Sequence, residues 1–161
     1  GARSGTYLDR LGDVMWGGGG GSIVVALLRG RALTLAQAGS VRATLRRGGS
    51  GAAAAAEVLS HDDTLEAQLR AAGIEEELAP GLRGVVTRAI GFDDDFTRCQ
   101  RPLAPGDSLL IASRGLYEAL DAATIDDILA TEPAARWTQV LLEAAQARQA
   151  GNATVLTAII E

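Results

Sequence analysis

The sequence predicts an α+β protein in which helices pack on antiparallel sheets, and two observations carry that prediction. Short apolar runs of strand character succeed one another through connections of only a few residues, "IVVALLRGRALTLAQAGSVRATLRRGG" being the densest example. Connections that short join antiparallel strands, since a parallel crossover needs a dozen residues or more. The helical patterns are grouped between strand runs and do not alternate with each one, which separates α+β from a parallel α/β sheet.

Element by element, residues 1–16 form a weakly patterned N-terminal segment, residues 17–22 ("GGGGGS") a Gly-rich linker, and residues 23–161 the domain. Five consecutive glycines make any fixed backbone entropically costly, hence the linker reading. Three strands follow, the first two turning at Gly30 and the next break falling at Ala38-Gly39. "GSGAAAAAEV" reads as a surface loop or the entry to a strand. "HDDTLEAQLRAAGI" predicts a helix capped by Asp62 or Asp63, with Leu65, Leu69 and Ala72 on one face and Gly73 as its left-handed stop. "GVVTRAIG" is a short extended piece before the acidic "FDDDF".

Two strands are expected around the turn at Pro105-Gly106, and a helix begins near Leu116. Thr124 opens a further helix, and Pro133 after Thr131-Glu132 starts another. In that last helix Trp137, Val140, Leu141, Ala144 and Ala145 recur at helical spacing, and Gly151 closes it. "ATVLTAII" is apolar on both faces, which predicts a central strand.

Composition excludes several classes of function. The 161 residues suit one domain and bury roughly 70% of the unfolded chain's surface. All 15 basic residues are Arg, and the net charge is −5. With no basic stripe beyond Arg42 and Arg46-Arg47, nucleic acid is not an expected partner. The longest apolar runs are too short for membrane insertion. The single cysteine, Cys99, permits no disulfide framework, and points to a cytoplasmic protein with a buried, inert thiol.

Chemical motifs mostly fail. A phosphate-cradling Walker loop needs a Lys that the chain lacks, and the glycines precede a strand where a dinucleotide loop precedes a helix. "SHDD" sets Ser60, His61 and Asp62 side by side, whereas catalytic triads converge from separate segments. With one His and one Cys, the usual zinc clusters are ruled out, and Asp93, Asp94 and Asp95 read as a solvated acidic loop.

From Ser22 onward, the order of segments resembles the metal-dependent Ser/Thr protein phosphatases of the protein phosphatase 2C type. "GSIVVALL" and "AQAGSVRATLRRGG" resemble that family's Gly-Ser/Thr-Thr strand and its Asn-x-Gly-Asp-Ser-Arg turn. "LSHDDTLEAQLRAAGI" resembles its Asp-His-Ser segment, and "VVTRAIG" its Thr-Arg-Ala-Leu-Gly. "LAPGDSLLIASRGLYEAL" is similar to Pro-Gly-Asp-x-Leu-Leu-Leu-x-Ser-Asp-Gly-Leu-x-Asp, and "AGNATVLTAII" to Asp-Asn-x-Thr-Val-Val-Val. The resemblance implies a two-sheet antiparallel β-sandwich flanked by helices, truncated at its N-terminal side. The family's Asp-Gly-His/Met-Gly metal motif has no counterpart here.

The family uses Mg²⁺ or Mn²⁺ held by aspartates. Carried over residue by residue, the acid of Ser-Asp-Gly is Arg114, that of Asp-Asn is Gly151 and that of Gly-Asp-Ser-Arg is Ser40. Arg42, Ser113, Gly115, Glu118 and Asn152 remain as a remnant site, and Asp13 aligns with an early metal-binding acid. A guanidinium in place of a carboxylate turns attraction for a cation into repulsion, about 4 kcal/mol per unit-charge pair at ~4 Å and an effective dielectric near 20. Arg cannot deprotonate to relieve it. Arg114 either fills the vacated site and pairs with Glu118 or bends into solvent. The expectation is therefore a pseudophosphatase with no metal cofactor and no catalytic residues, binding a protein partner. Two alternatives stand beside it: a metal-dependent phosphoserine/phosphothreonine phosphatase whose site a missing N-terminal segment completes, and a purely structural interaction domain.

Overall fold

The computed structural model describes residues 20–48, 56–74, 82, 84–91, 95–149 and 151–161. The linker expectation at 17–19, Asp13, Asp93, Asp94 and most of the alanine-rich run lie outside them. The strands are β1 (Ile23–Arg29), β2 (Ala32–Ala38), β3 (Arg42–Arg46), β4 (Glu57–Val58), β5 (Thr97–Pro102), β6 (Ser108–Ala112) and β7 (Val155–Ile159). The helices are α1 (Leu65–Ala71), α2 (Arg114–Ala119), α3 (Ala122–Thr131) and α4 (Trp137–Ala147), the last preceded by a 3₁₀ turn at Ala134–Arg136.

Two antiparallel sheets result, ordered β1-β2-β5 and β4-β3-β6-β7. The β1–β2 hairpin closes at Gly30, where the sequence places it, with Arg29 opposite Ala32. The next short connection behaves otherwise. Between β2 and β3 the chain does not fold back on its neighbour but passes to the other sheet. Gly39 makes that passage with φ +95, in a space where a Cβ would lie 2.2 Å from the Ser22 Oγ. The Pro105-Gly106 turn likewise separates β5 from β6 and sends them to different sheets. A short turn fixes how far the chain travels, and in a sandwich that distance also reaches the facing sheet.

Alternation then builds the core. Leu33 and Leu35 of β2 meet Ala43 and Leu45 of β3 and Leu109 of β6 between the sheets. The other face of β6, Leu110 and Ala112, is covered by Leu116 of α2, Leu129 of α3 and Leu141 and Ala145 of α4. The apolar stripe predicted on the last helix is this contact. β6 is buried except at Ile111, which is partly exposed, and with β3 it forms the interior of the four-stranded sheet. β7 is the edge strand, contrary to its uniformly apolar sequence, and Leu156 and Ile159 are left about half exposed, 52% and 47%.

Other helix boundaries differ from expectation for identifiable reasons. Thr64 caps α1, its Oγ1 accepting from the Ala67 N–H at 3.2 Å, because both aspartates before it are engaged elsewhere. Leu65 and Leu69 are half-buried, but Ala72 is exposed, and the chain leaves α1 through Gly73 as expected. Asp121 caps α3 by accepting from the Thr124 N–H at 2.8 Å. α4 ends before Gly151, with Gln149 taking the left-handed conformation at φ 57. Cys99 is half-buried on β5, and burial pushes its thiol pKa up, keeping it in the unreactive protonated form. No helix among the described residues is long and apolar enough to cross a membrane.

Candidate functional site

One end of the sandwich gathers three segments: the β2–β3 passage, the loop from Ser60 to Thr64, and the step from β6 into α2. Buried polar bonds hold the first two together. Gln37 is fully buried at the end of β2, its Oε1 accepting from the His61 N–H at 2.9 Å and its Nε2 donating to the Gly39 carbonyl at 2.9 Å and to the His61 carbonyl. Asp63, also buried, accepts from the Gly39 N–H at 2.9 Å and lies 3.4 Å from the Arg88 guanidinium. The Ser60 Oγ accepts from the Ala43 N–H at 2.9 Å.

Above this frame opens a cleft of about 190 Å³, lined by Ser40, Arg42, Asp62, Thr64, Glu66, Ala67, Arg70, Arg114, Tyr117 and Glu118. Its charges come in pairs. Arg42 donates to Asp62, Arg70 to Glu66 at 3.1 Å, and the Arg114 Nε to the Glu118 Oε1 at 2.6 Å. The last two pairs follow from the helical i,i+4 spacing. The Arg42 guanidinium also lies 4.4 Å above the Tyr117 ring, a cation–π stack that fixes it against the cleft wall. Burial pushes the Tyr117 phenol pKa up, against the opposing pull of the Thr44 hydroxyl and Arg42, and its oxygen forms no well-shaped hydrogen bond.

Arg114 opens α2 at the very end of β6 and turns into the cleft, with side-chain exposure of 28%. Its Nη1 lies 2.8 Å from where a Cβ on Gly84 would sit, so the guanidinium, bonded to Glu118, also lies against Gly84.

The positions that sequence reading singled out therefore divide in two. Ser40, Arg42, Arg114 and Glu118 meet in the cleft. Ser113, Gly115 and Asn152 instead join the β6–α2 step to the chain entering β7. There the Ser113 N–H donates to the Thr154 carbonyl and its Oγ accepts from the Thr154 N–H, each at 2.9 Å. A Cβ on Gly115 would fall 2.3 Å from the Asn152 carbonyl oxygen, so only glycine allows that approach. Gly151 is exposed and does not line the cleft. Gln37, Asp62, Tyr117 and Gly84 were not foreseen. For Gln37 a signal existed: alternation along "ALTLAQA" turns it to the same face as Leu33 and Leu35.

These residues do not suit a pair of hard divalent cations. Among the described residues, no group of three or more His, Cys, Asp or Glu side chains is placed to hold a metal. Each of the three cleft carboxylates already faces a guanidinium, and adding a divalent ion would leave the cleft's positive charge uncompensated.

No protein-family model matches the sequence, and no curated protein matches it. Solved structures do. PppA of Pseudomonas aeruginosa, described as a key regulatory component of T6SS, superposes with a TM-score of 0.79 at 22% identity, over 98% of this chain and 70% of its own. The Mycobacterium tuberculosis serine/threonine phosphatase PstP/Ppp gives 0.77 at 25% identity, over 98% and 66%. The S. agalactiae serine/threonine phosphatase gives 0.82 at 21% identity, over 96% and 69%. The chain thus spans about two thirds of the length of these structures, and its fold is that of the PPM-type Ser/Thr phosphatases.

Proposed function

We propose that this phosphatase-fold domain is non-catalytic and acts as a protein-binding or regulatory module in the cytoplasm. The observation that carries the reading is Arg114, whose guanidinium occupies the cleft and is bonded to Glu118. A permanent cation at this strand end competes with any metal ion for the same carboxylates, so the chain needs no metal cofactor. The other described cleft acids are ion-paired likewise, which weakens each of them as a base toward a water. A regulatory role accords with PppA, a regulatory component on the same fold. The net charge of −5 argues for protein over nucleic acid as the partner, and the lone cysteine for a reducing compartment.

Calorimetric titration with Mn²⁺, paired with p-nitrophenyl phosphate turnover, tests the reading. The chain is expected to give neither binding heat nor metal-stimulated turnover. Arg114→Asp, which removes the cation and places a carboxylate at the cleft wall beside Glu118, is expected to gain binding heat. Metal-stimulated turnover by the unsubstituted chain would instead favour a true phosphatase completed by a further segment. That reading draws on the chain covering only 66% of the M. tuberculosis structure's length.

A further inference from the structure

Residues 84–87 run as an exposed strap along the start of α1. Thr64 and Val86 form an antiparallel bridge. The Leu65 N–H donates to the Val85 carbonyl at 2.9 Å, and the Thr87 N–H to the Asp63 carbonyl at 2.8 Å. Two bonds along one side are a weak hold for so short a strand. At its C-terminal end the strap is tied by Arg88, whose guanidinium lies 3.4 Å from the Asp63 carboxylate and donates to the Thr97 Oγ1 at 3.0 Å. At its N-terminal end it meets Arg114. The Nη1, Cζ and Nη2 of that guanidinium lie 2.8, 3.3 and 3.6 Å from the position a Cβ on Gly84 would take. Glycine allows the flat group to come so close. The Glu118 Oε1, accepting from the Arg114 Nε at 2.6 Å, holds it in that orientation.

We infer that Arg114 is a clasp that presses the strap onto the start of α1 and so couples the two walls of the cleft. The contacts form a continuous path. Arg114, Tyr117 and Glu118 of α2 line one wall, and Glu66, Ala67 and Arg70 of α1 line the other. α1 has seven residues and buries none of them fully, so packing alone does not fix its wall. The helix depends on what Asp63, Thr64 and Leu65 bond to at its start, and the strap supplies two of those bonds. A ligand that draws the guanidinium away from Gly84 therefore loosens the strap and α1 together. The coupling is reciprocal, so a loosened α1 favours such a ligand.

Hydrogen exchange followed residue by residue by NMR, on the full chain, tests the clasp. In Arg114→Ala the Leu65 and Thr87 amides are expected to exchange on the order of tenfold faster, with the Leu110 amide of β6 unchanged. Gly84→Ala is expected to do the same with Arg114 still present, because its Cβ displaces the guanidinium. Alanine at position 84 by itself restricts the released chain and would slow exchange, so the direction of the change identifies the cause. Neither substitution adds a carboxylate, so the outcome is independent of whether the cleft takes up Mn²⁺. Unchanged exchange at Leu65 and Thr87 in either variant, or acceleration that reaches Leu110 equally, overturns the inference.

Discussion

Replacing Asp107 by Asn is expected to lower stability by about 3 kcal/mol, or roughly 10 °C in melting temperature for a domain of this size. Asp107 lies at the end of the sandwich away from the cleft, just before β6, and is 1% exposed. Its Oδ2 accepts from Arg47 and from the Ala104 N–H, and its Oδ1 from the Gly48 N–H, all at 2.9 Å. Arg47 also faces Glu57 at 3.8 Å, and Glu57 accepts from Arg101 of the other sheet at 2.6 Å. The carboxylate thus anchors a chain of charges that crosses between the sheets. An amide in its place offers one acceptor instead of two and turns an N–H toward a donor.

The same residue sets a pH dependence. Burial alone would raise the Asp107 pKa, but the Ala104 and Gly48 N–H groups and the Arg47 guanidinium outweigh it and hold the group below its ordinary value of 3.8. A depressed folded-state pKa means that the carboxylate stabilises the fold fully above the unfolded value. That contribution is lost as pH falls from about 3.8 down through the lower folded value. Thermal melts between about pH 2 and pH 6 check this. The unsubstituted chain is expected to lose more stability than Asp107→Asn over the acid part of that range, and parallel curves would refute the assignment.

How much of this was legible depended on whether a feature was local. The β1–β2 hairpin, the Gly73 stop and the apolar stripe on α4 are set by residues a few positions apart, and the structure has them where the sequence puts them. The choice of sheet is not local. The turns at Gly39 and Gly106 look like hairpin turns, yet each leads from one sheet to the other, because the next strand's partner lies far along the chain. β7 misled for a related reason. An apolar strand is central when sheets or helices cover it on both sides, and Val155–Ile159 has neighbours on one edge only. In the cleft, Ser40, Arg42, Arg114 and Glu118 could be named from motif order, and the Arg114–Glu118 pair from helical spacing. What composes the rest of the cleft, Asp62 opposite Arg42 and Tyr117 beneath it, depends on which loops meet across 20 residues or more. Gly151 shows the converse. It fits a ligand position by motif order but stands outside the cleft's lining.

Gln37 is where the cleft's shape is most exposed to a single change. Gln37→Leu keeps the volume and the burial but abandons the His61 N–H and the His61 carbonyl, and leaves the Gly39 carbonyl to the Asp63 N–H at 3.1 Å. A loss of about 2–3 kcal/mol is expected, with faster hydrogen exchange at the His61 amide as the local readout. Gln37→Glu separates shape from charge. Its carboxylate would face two carbonyl oxygens and the Asp63 carboxylate, whose Oδ2 lies 3.3 Å from the amide nitrogen of Gln37. Burial among acceptors favours the protonated acid, so the folded-state pKa of the new group rises above that of a free Glu, about 4.3. A raised pKa on an acid means stability that is present below the unfolded value and lost as pH climbs through the folded one. Gln37→Glu is therefore expected to approach the stability of the unsubstituted chain near pH 4 and to fall below Gln37→Leu by pH 8. If the two variants melt alike at both pH values, Gln37 does not clamp the Gly39 turn to the His61 loop, and the wall that positions Arg42 and Asp62 must be held by other contacts.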